Sequence, residues 1–213
     1  MKIKDFKTTS HLFPYVSFDS NKPVCVLAGA SVFLHMMRCL LDGEDDGTPV
    51  DENKERTFVS TVNFEHNEKE YELCGVLCDD QSFFVAVRDG EYFSEEKTRE
   101  CLKFLKKQAG DEKNYYCLEH KYYTLENTLS ESDYRVANFK SFMDIVKAET
   151  ENGDRRPIYI FNFFERLDDS VDINPFLDEL ASLDRQVFVA VNKNYPVEKM
   201  SHDKVQIVKI NVQ

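Results

Sequence analysis

Tryptophan is absent from this 213-residue chain, and glycine is scarce, with seven residues. The 17 phenylalanines and 10 tyrosines still bring the aromatic share to 13%, enough to fill a core. No two glycines have the spacing of a phosphate loop or of a dinucleotide-binding turn. Basic charge is also short. Lys and Arg number 27 against 39 Asp and Glu, for a net charge of −12 and a pI near 4.9. That excludes a generally basic nucleic-acid surface, because phosphate contacts need Lys and Arg, but not a local basic stripe. No apolar run approaches the roughly 20 residues of a membrane-spanning helix. The opening MKIKDFK lacks the apolar stretch of a secretory signal. A cytoplasmic protein with no membrane partner is expected, and its six cysteines (Cys25, Cys39, Cys74, Cys78, Cys101 and Cys117) read as reduced core thiols. The five histidines form no HxxxH or HxH pair. Cys74 and Cys78 fall in a strand, where four residues span roughly 13 Å, too far for one zinc. No metal site and no cofactor are expected.

What the chain does have is a set of short apolar runs. Ile158 to Phe161, after a proline, has no polar alternation and reads as a strand buried on both faces. Val24 to Ala28 and Gln186 to Val191 read the same way. Gly29-Ala30-Ser31 turns the chain after the first, and Val32 to Leu41 follows as a helix, with Phe33, Met36, Met37, Leu40 and Leu41 at helical spacing. Strand, glycine turn, helix is the opening of a phosphate-binding unit. Met1 to Phe6 and Phe13 to Phe18 read as two further short strands. Thr57 to Phe64, Tyr71 to Cys78 and Phe83 to Val87 read as antiparallel strands, with turns at His66 to Lys69 and Asp79 to Ser82 and a hairpin signal at Asp89-Gly90. They form a lobe of three or four strands within 56–93.

Ser94 caps a helix that Gly110 ends. Tyr115 to Leu125 is ambiguous. Ser130 caps a long helix ending near Gly153, a further helix covers Pro175 to Leu183, and Val205 to Val212 closes the sheet. The expected fold class is α/β, a P-loop-NTPase-like mixed sheet flanked by helices with an antiparallel β-lobe, in one domain over 1–213. Ligands of such sheets sit beyond the C-terminal ends of the strands.

On these residues the chain resembles an ATP-binding-cassette-type ATPase domain of the SMC/RecF/RecN-like branch. VCVLAGASVFLHMMRCLL has that family's first strand, first glycine (Gly29) and helix. The second glycine of the Walker A loop falls at Leu34, its lysine at His35 and its Ser/Thr at Met36. LSESD, Leu129 to Asp133, resembles the family's LSSGE-like signature, with Leu129 and Ser130 matched, Ser132 in place of glycine and Asp133 as the acid. PIYIF resembles the Walker B strand, but its aspartate becomes Asn162 and the catalytic glutamate Phe163. Leu167-Asp168 keeps a later Leu-Asp pair, one residue closer than usual, and the switch histidine falls at Asn192.

The resemblance implies a nucleotide site at Gly29, Ala30, Ser31, His35, Met36, Asn162, Phe163 and Asn192 that has lost its chemistry. A leucine crowds the phosphate cradle, an imidazole of ordinary pKa is mostly neutral at pH 7, a thioether does not bind hard Mg²⁺, and a phenyl ring does not orient water. The expectation is a catalytically inactive, ATPase-like interaction or regulatory subunit in DNA maintenance or defence. Its implied partners are a second copy or an active ATPase, with Leu129, Ser130, Ser132, Asp133 and Asp168 at the contact.

Two alternatives stand beside it. The CRISPR-associated DNA-end-binding subunit of type II-A adaptation complexes is similar in size and in its P-loop-less, ATPase-derived fold, and it uses localised lysines on an acidic protein. Here Arg99, Lys103, Lys106 and Lys107 lie on one helical face and are the candidate nucleic-acid contacts. Arg155-Arg156, Lys193, Lys199 and Lys204 are further cations that would extend a basic groove. The other alternative is a noncanonical nucleotide-binding enzyme or a cysteine-based activity.

Overall fold

The structure, a computed structural model, describes residues 1–8, 15–29, 31–42, 58–77, 83–107, 116–119, 131–161, 163–164, 171–200 and 203–209. In chain order its strands and helices are β1 (Lys2–Thr8), β2 (Tyr15–Ser17), β3 (Val24–Ala28), α1 (Ser31–Asp42), β4 (Phe58–His66), β5 (Lys69–Leu77), β6 (Phe83–Asp89), β7 (Tyr92–Ser94), α2 (Glu95–Lys107), β8 (Tyr116–Glu119), α3 (Glu131–Glu151), β9 (Ile158–Phe161), α4 (Asn174–Ala181), β10 (Val187–Val191) and β11 (Val205–Lys209). The expected α/β class holds, with the parallel and antiparallel strands segregated into separate sheets. The chain divides into two compact units, one of residues 1–20, 32–114 and 211–213, the other of 21–31 and 115–210.

The second unit is built on a five-stranded sheet in the order β11-β3-β10-β9-β8, every described pair parallel. Its middle strand is β10. Continuous apolar runs suit this position because both faces of β3 and β10 are buried over all five residues. On one face, Val26, Val189 and Ile160 stand in register across three strands. They pack with Phe139, Met143 and Val146 of α3 and Leu177, Leu180 and Ala181 of α4. Each fully buried Val, Leu, Ile, Phe or Met among them contributes about 1.5–3 kcal/mol. On the other face, Tyr159 stacks on its register partner Phe188, ring centroids 5.0 Å apart. The ambiguous stretch after Tyr115 contains β8, an edge strand alongside β9.

The first unit holds a six-stranded antiparallel sheet, β2-β1-β4-β5-β6-β7, with α1 and α2. The lobe is larger than its own hairpins suggest because β1 pairs with β4 and carries β2 with it. Ile3 and Phe6, three apart, would point to opposite faces of a regular strand. A register shift between Ile3 and Asp5 sets them opposite Phe64 and Val62 instead, and all four are buried. The β4–β5 turn uses Asn67 and Glu68, φ +49° and +62°, the two left-handed residues of a tight two-residue hairpin. Gly90, φ +64°, opens the β6–β7 turn. Ser94 Oγ accepts the Lys97 N–H at 3.2 Å, capping α2 as its sequence position predicts. From Leu34 to Leu41 every described side chain of α1 is buried, Arg38 included.

Candidate functional site

The C-terminal ends of β3, β9 and β10 share one edge of the parallel sheet, so Gly29 and Asn192, the residues after β3 and β10, are brought to that edge by topology. The local geometry is tight. α1 begins at Ser31, so only residues 29 and 30 separate it from β3. Gly29 adopts φ +75°, a backbone state that favours glycine, and its N–H donates to Val191 O at 2.9 Å. That N–H is spent on the sheet. The positions that match the second glycine, the lysine and the Ser/Thr of a phosphate loop lie inside the helix. Leu34 is fully buried and Met36 is 6% exposed. Ser31 and His35 are placed on the same helix. Ala30 and Asn162 lie outside the described residues.

Phe163 is core. It is 1% exposed and sits in a cluster of phenyl rings, edge-on to Phe164 at 4.8 Å and 5.6 Å from Phe139, which is itself edge-on to Phe176 at 5.0 Å. Edge-to-face pairs of this kind add about 0.5–1.5 kcal/mol beyond area burial. Arg135 of α3, 1% exposed, donates from Nη1 to Phe163 O at 3.1 Å and pins the chain as it leaves β9. Asn192 is exposed, and its side-chain oxygen accepts the Asn194 N–H at 2.9 Å, closing a local turn. Of the signature-like residues, Ser132 and Asp133 lie in the first turn of α3, with Asp133 exposed, while Leu129, Ser130 and Asp168 lie outside the described residues. Arg99 is ion-paired to Glu95 at 2.6 Å within α2, which also carries Lys103, Lys106 and Lys107.

The opposite end of the same sheet holds a polar network that no motif announces. Arg156 donates from Nε to Asp154 Oδ2 at 2.7 Å and from Nη2 to the Tyr116 hydroxyl at 2.6 Å, and its guanidinium lies 4.5 Å from the centre of the Tyr116 ring. Arg185, its side chain fully buried, lies 4.9 Å from the same ring and donates to Thr150 Oγ1 at 2.7 Å. The Tyr116 hydroxyl donates to Asp154 Oδ2 at 3.1 Å. Burial pushes the Asp154 carboxyl up, but its bonds with Arg156 and Tyr116 outweigh that and hold it below the usual carboxylate range. Burial, then the neighbouring Asp154 and Glu149, push the Tyr116 hydroxyl up against the opposing charge of Arg156. Arg155 is engaged too, with Asp184 at 3.2 Å and the carbonyls of Thr150 and Asp154 at 2.9 and 2.8 Å. The arginine pair that reads as part of a basic groove is therefore spent on tying α3, β8 and β9 together. A charged turn, DRR, is the only local signal for it, because Tyr116 and Arg185 are distant in sequence.

Among the described residues no cysteine is in a disulfide, and Cys78 lies outside them. Cys25, Cys39, Cys74 and Cys101 are buried and Cys117 is half-buried. Burial pushes Cys25 up to about 12; burial and then Glu100 push Cys101 to about 12. Neither is a thiolate near neutral pH, which is the reactive form. Among the described residues no group of three or more His, Cys, Asp or Glu is arranged to hold a metal ion, and no helix is long and apolar enough to cross a membrane.

No family model matches the chain, and no curated protein matches it in sequence. Among solved structures it is similar to the SMC head domain from Thermotoga maritima, with a TM-score of 0.54 over 98% of this chain and 95% of that one. Identity is 11%, so the likeness is one of fold. It is the class of fold that the Gly29, PIYIF and LSESD segments resemble.

Proposed function

We propose that this chain is a catalytically inactive, ATPase-like protein, an SMC-head-type scaffold that serves as an interaction or regulatory subunit. The observation that carries the reading is the two-residue turn between β3 and α1. A phosphate loop places four residues between its glycines, and their backbone N–H groups wrap the phosphates. Here the helix has started before such a loop is complete, and the Gly29 N–H is bonded to the sheet. The burial of Met36 and Phe163 supports the same reading, since the groups that would hold Mg²⁺ and orient water are replaced by core side chains. The partner is a second copy or an active ATPase, met through the start of α3 at Ser132 and Asp133 with Leu129, Ser130 and Asp168.

Titration calorimetry with Mg²⁺ and millimolar ATP tests this directly. The expected result is no saturable heat from the wild type. Saturable heat that is lost in Gly29→Trp and in Ser31→Glu overturns the reading. The second variant is chosen because the dipole of α1 favours a carboxylate at its first residue, so the fold is kept while phosphate is repelled.

A further inference from the structure

The six-stranded sheet ends at β7, and among the described residues no strand pairs with its outer edge. Two large side chains stand exposed on that strand, Tyr92 at 78% and Phe93 at 62%. Successive residues of a strand point to opposite faces, so the edge carries an aromatic on each side. A short strand with charged flanks is a common protection against self-association. That accounts for the charges here, but not for an exposed phenyl ring beside an exposed phenol.

The charges have a sign. Arg88 is paired to Glu72 at 3.3 Å, Lys97 to Asp89 at 2.8 Å and Arg99 to Glu95 at 2.6 Å. Every cation from 88 to 99 is therefore matched, and exposed Glu91 and Glu96 are left without an ion pair among the described residues. A second copy is a poor occupant. It brings the same two unmatched carboxylates, Glu91 and Glu96, to the shared edge. Like charges directly opposite each other oppose pairing.

We propose that β7 is a docking strand for an extended, arginine- or lysine-rich segment of a partner protein. The segment adds to the sheet as a seventh strand through the unpaired backbone edge, places its cations against Glu91 and Glu96, and lays guanidinium or ammonium groups over Tyr92 and Phe93. This surface lies in the antiparallel unit and is independent of whether nucleotide binds.

The test is an amide-shift titration of the ¹⁵N-labelled full chain with three capped octapeptides. One alternates Arg and Val, one alternates Glu and Val, and one keeps the arginines but replaces each Val with Pro, which removes the donors an added strand needs. The expected result is saturable shifts centred on residues 91–96 with the Arg-Val peptide alone. Affinity falls about tenfold in Glu91→Lys/Glu96→Lys, the scale of reversing two rim charges, and also falls in Tyr92→Ser/Phe93→Ser. All four positions are exposed, so the variants retain the fold. Shifts elsewhere, no shifts, or equal binding of the Glu-Val peptide overturn the proposal. Equal binding of the Arg-Pro peptide reduces it to bulk charge attraction, and a concentration-dependent dimer that the aromatic variant abolishes assigns the edge to a second copy; either result also overturns it.

Discussion

Phe163→Glu puts an acid back where the ATPase resemblance calls for one, and the packing around that position sets the result. The ring is 1% exposed among Phe139, Phe164 and Phe176. Arg135 bonds to the main-chain oxygen of residue 163, leaving the ring itself in apolar surroundings. Truncating a phenylalanine so placed costs about 3–5 kcal/mol. Burying an unpartnered polar group adds about 1–3 kcal/mol. The sum, about 4–8 kcal/mol, compares with the whole stability of an ordinary domain, about 5–15 kcal/mol. Phe163→Leu is the control, because it keeps apolar contact and costs about 1 kcal/mol. Urea titration followed by far-ultraviolet dichroism and tyrosine fluorescence measures both. The expected outcome is a unit that is largely unfolded or strongly destabilised in the glutamate variant and near wild type in the leucine variant, with no ATP hydrolysis from either. The loss is smaller at pH 5 than at pH 8, since burial favours the neutral form of the introduced carboxyl. A glutamate variant as stable as the leucine control refutes the reasoning. The side chain at 163 would then reach water, and the site would be open to chemistry.

Two further outcomes follow from the geometry. The Asp154 carboxyl is held below its unfolded value, so its stabilising effect is present above the ordinary carboxylate range and is lost as pH falls through its folded pKa; Asp154→Asn should lower the unfolding midpoint at pH 7 but lose that deficit in strong acid, and a deficit independent of pH counts against the network. Cys25 and Cys101, buried with thiols pushed to about 12, should resist alkylation at pH 8 in the native state and react on unfolding, and peptide mapping that finds either one modified in folded protein contradicts their core placement.

The parts legible in the sequence are those where one physical demand acts alone. β3, β9 and β10 are enclosed on both faces, and continuous apolar runs announce that without any partner being known. Ser94 announces α2 because a capping oxygen acts within three residues. Elsewhere the demand is non-local. Ile3 and Phe6 have the wrong spacing for one face until the irregularity opposite Phe64 and Val62 is seen. Tyr115 to Leu125 stays ambiguous until β9 is set beside its Tyr116–Glu119 strand. Arg155 and Arg156 read as part of a basic groove because their partners, Tyr116 in β8, Thr150 in α3 and Asp184 before β10, are distant in sequence. At the candidate site, residue types show that a lysine, a hydroxyl and two acids are missing from the ATPase pattern. They do not show that the turn after β3 is two residues long, or that Arg135 reaches the end of β9.

The order β11-β3-β10 has a consequence for how the molecule is made. β3 leaves the ribosome long before either of its neighbours. Until residues 187–209 emerge it has no strand to pair with, and its five apolar residues must be sheltered by something else. Closing so long a loop costs entropy before any parallel contact rewards it. The antiparallel strands β4 to β7, joined by short connections, carry no such delay. Synthesis thus gives this chain a built-in sequence of events: the hairpins assemble early, while β3 waits for β10 and β11.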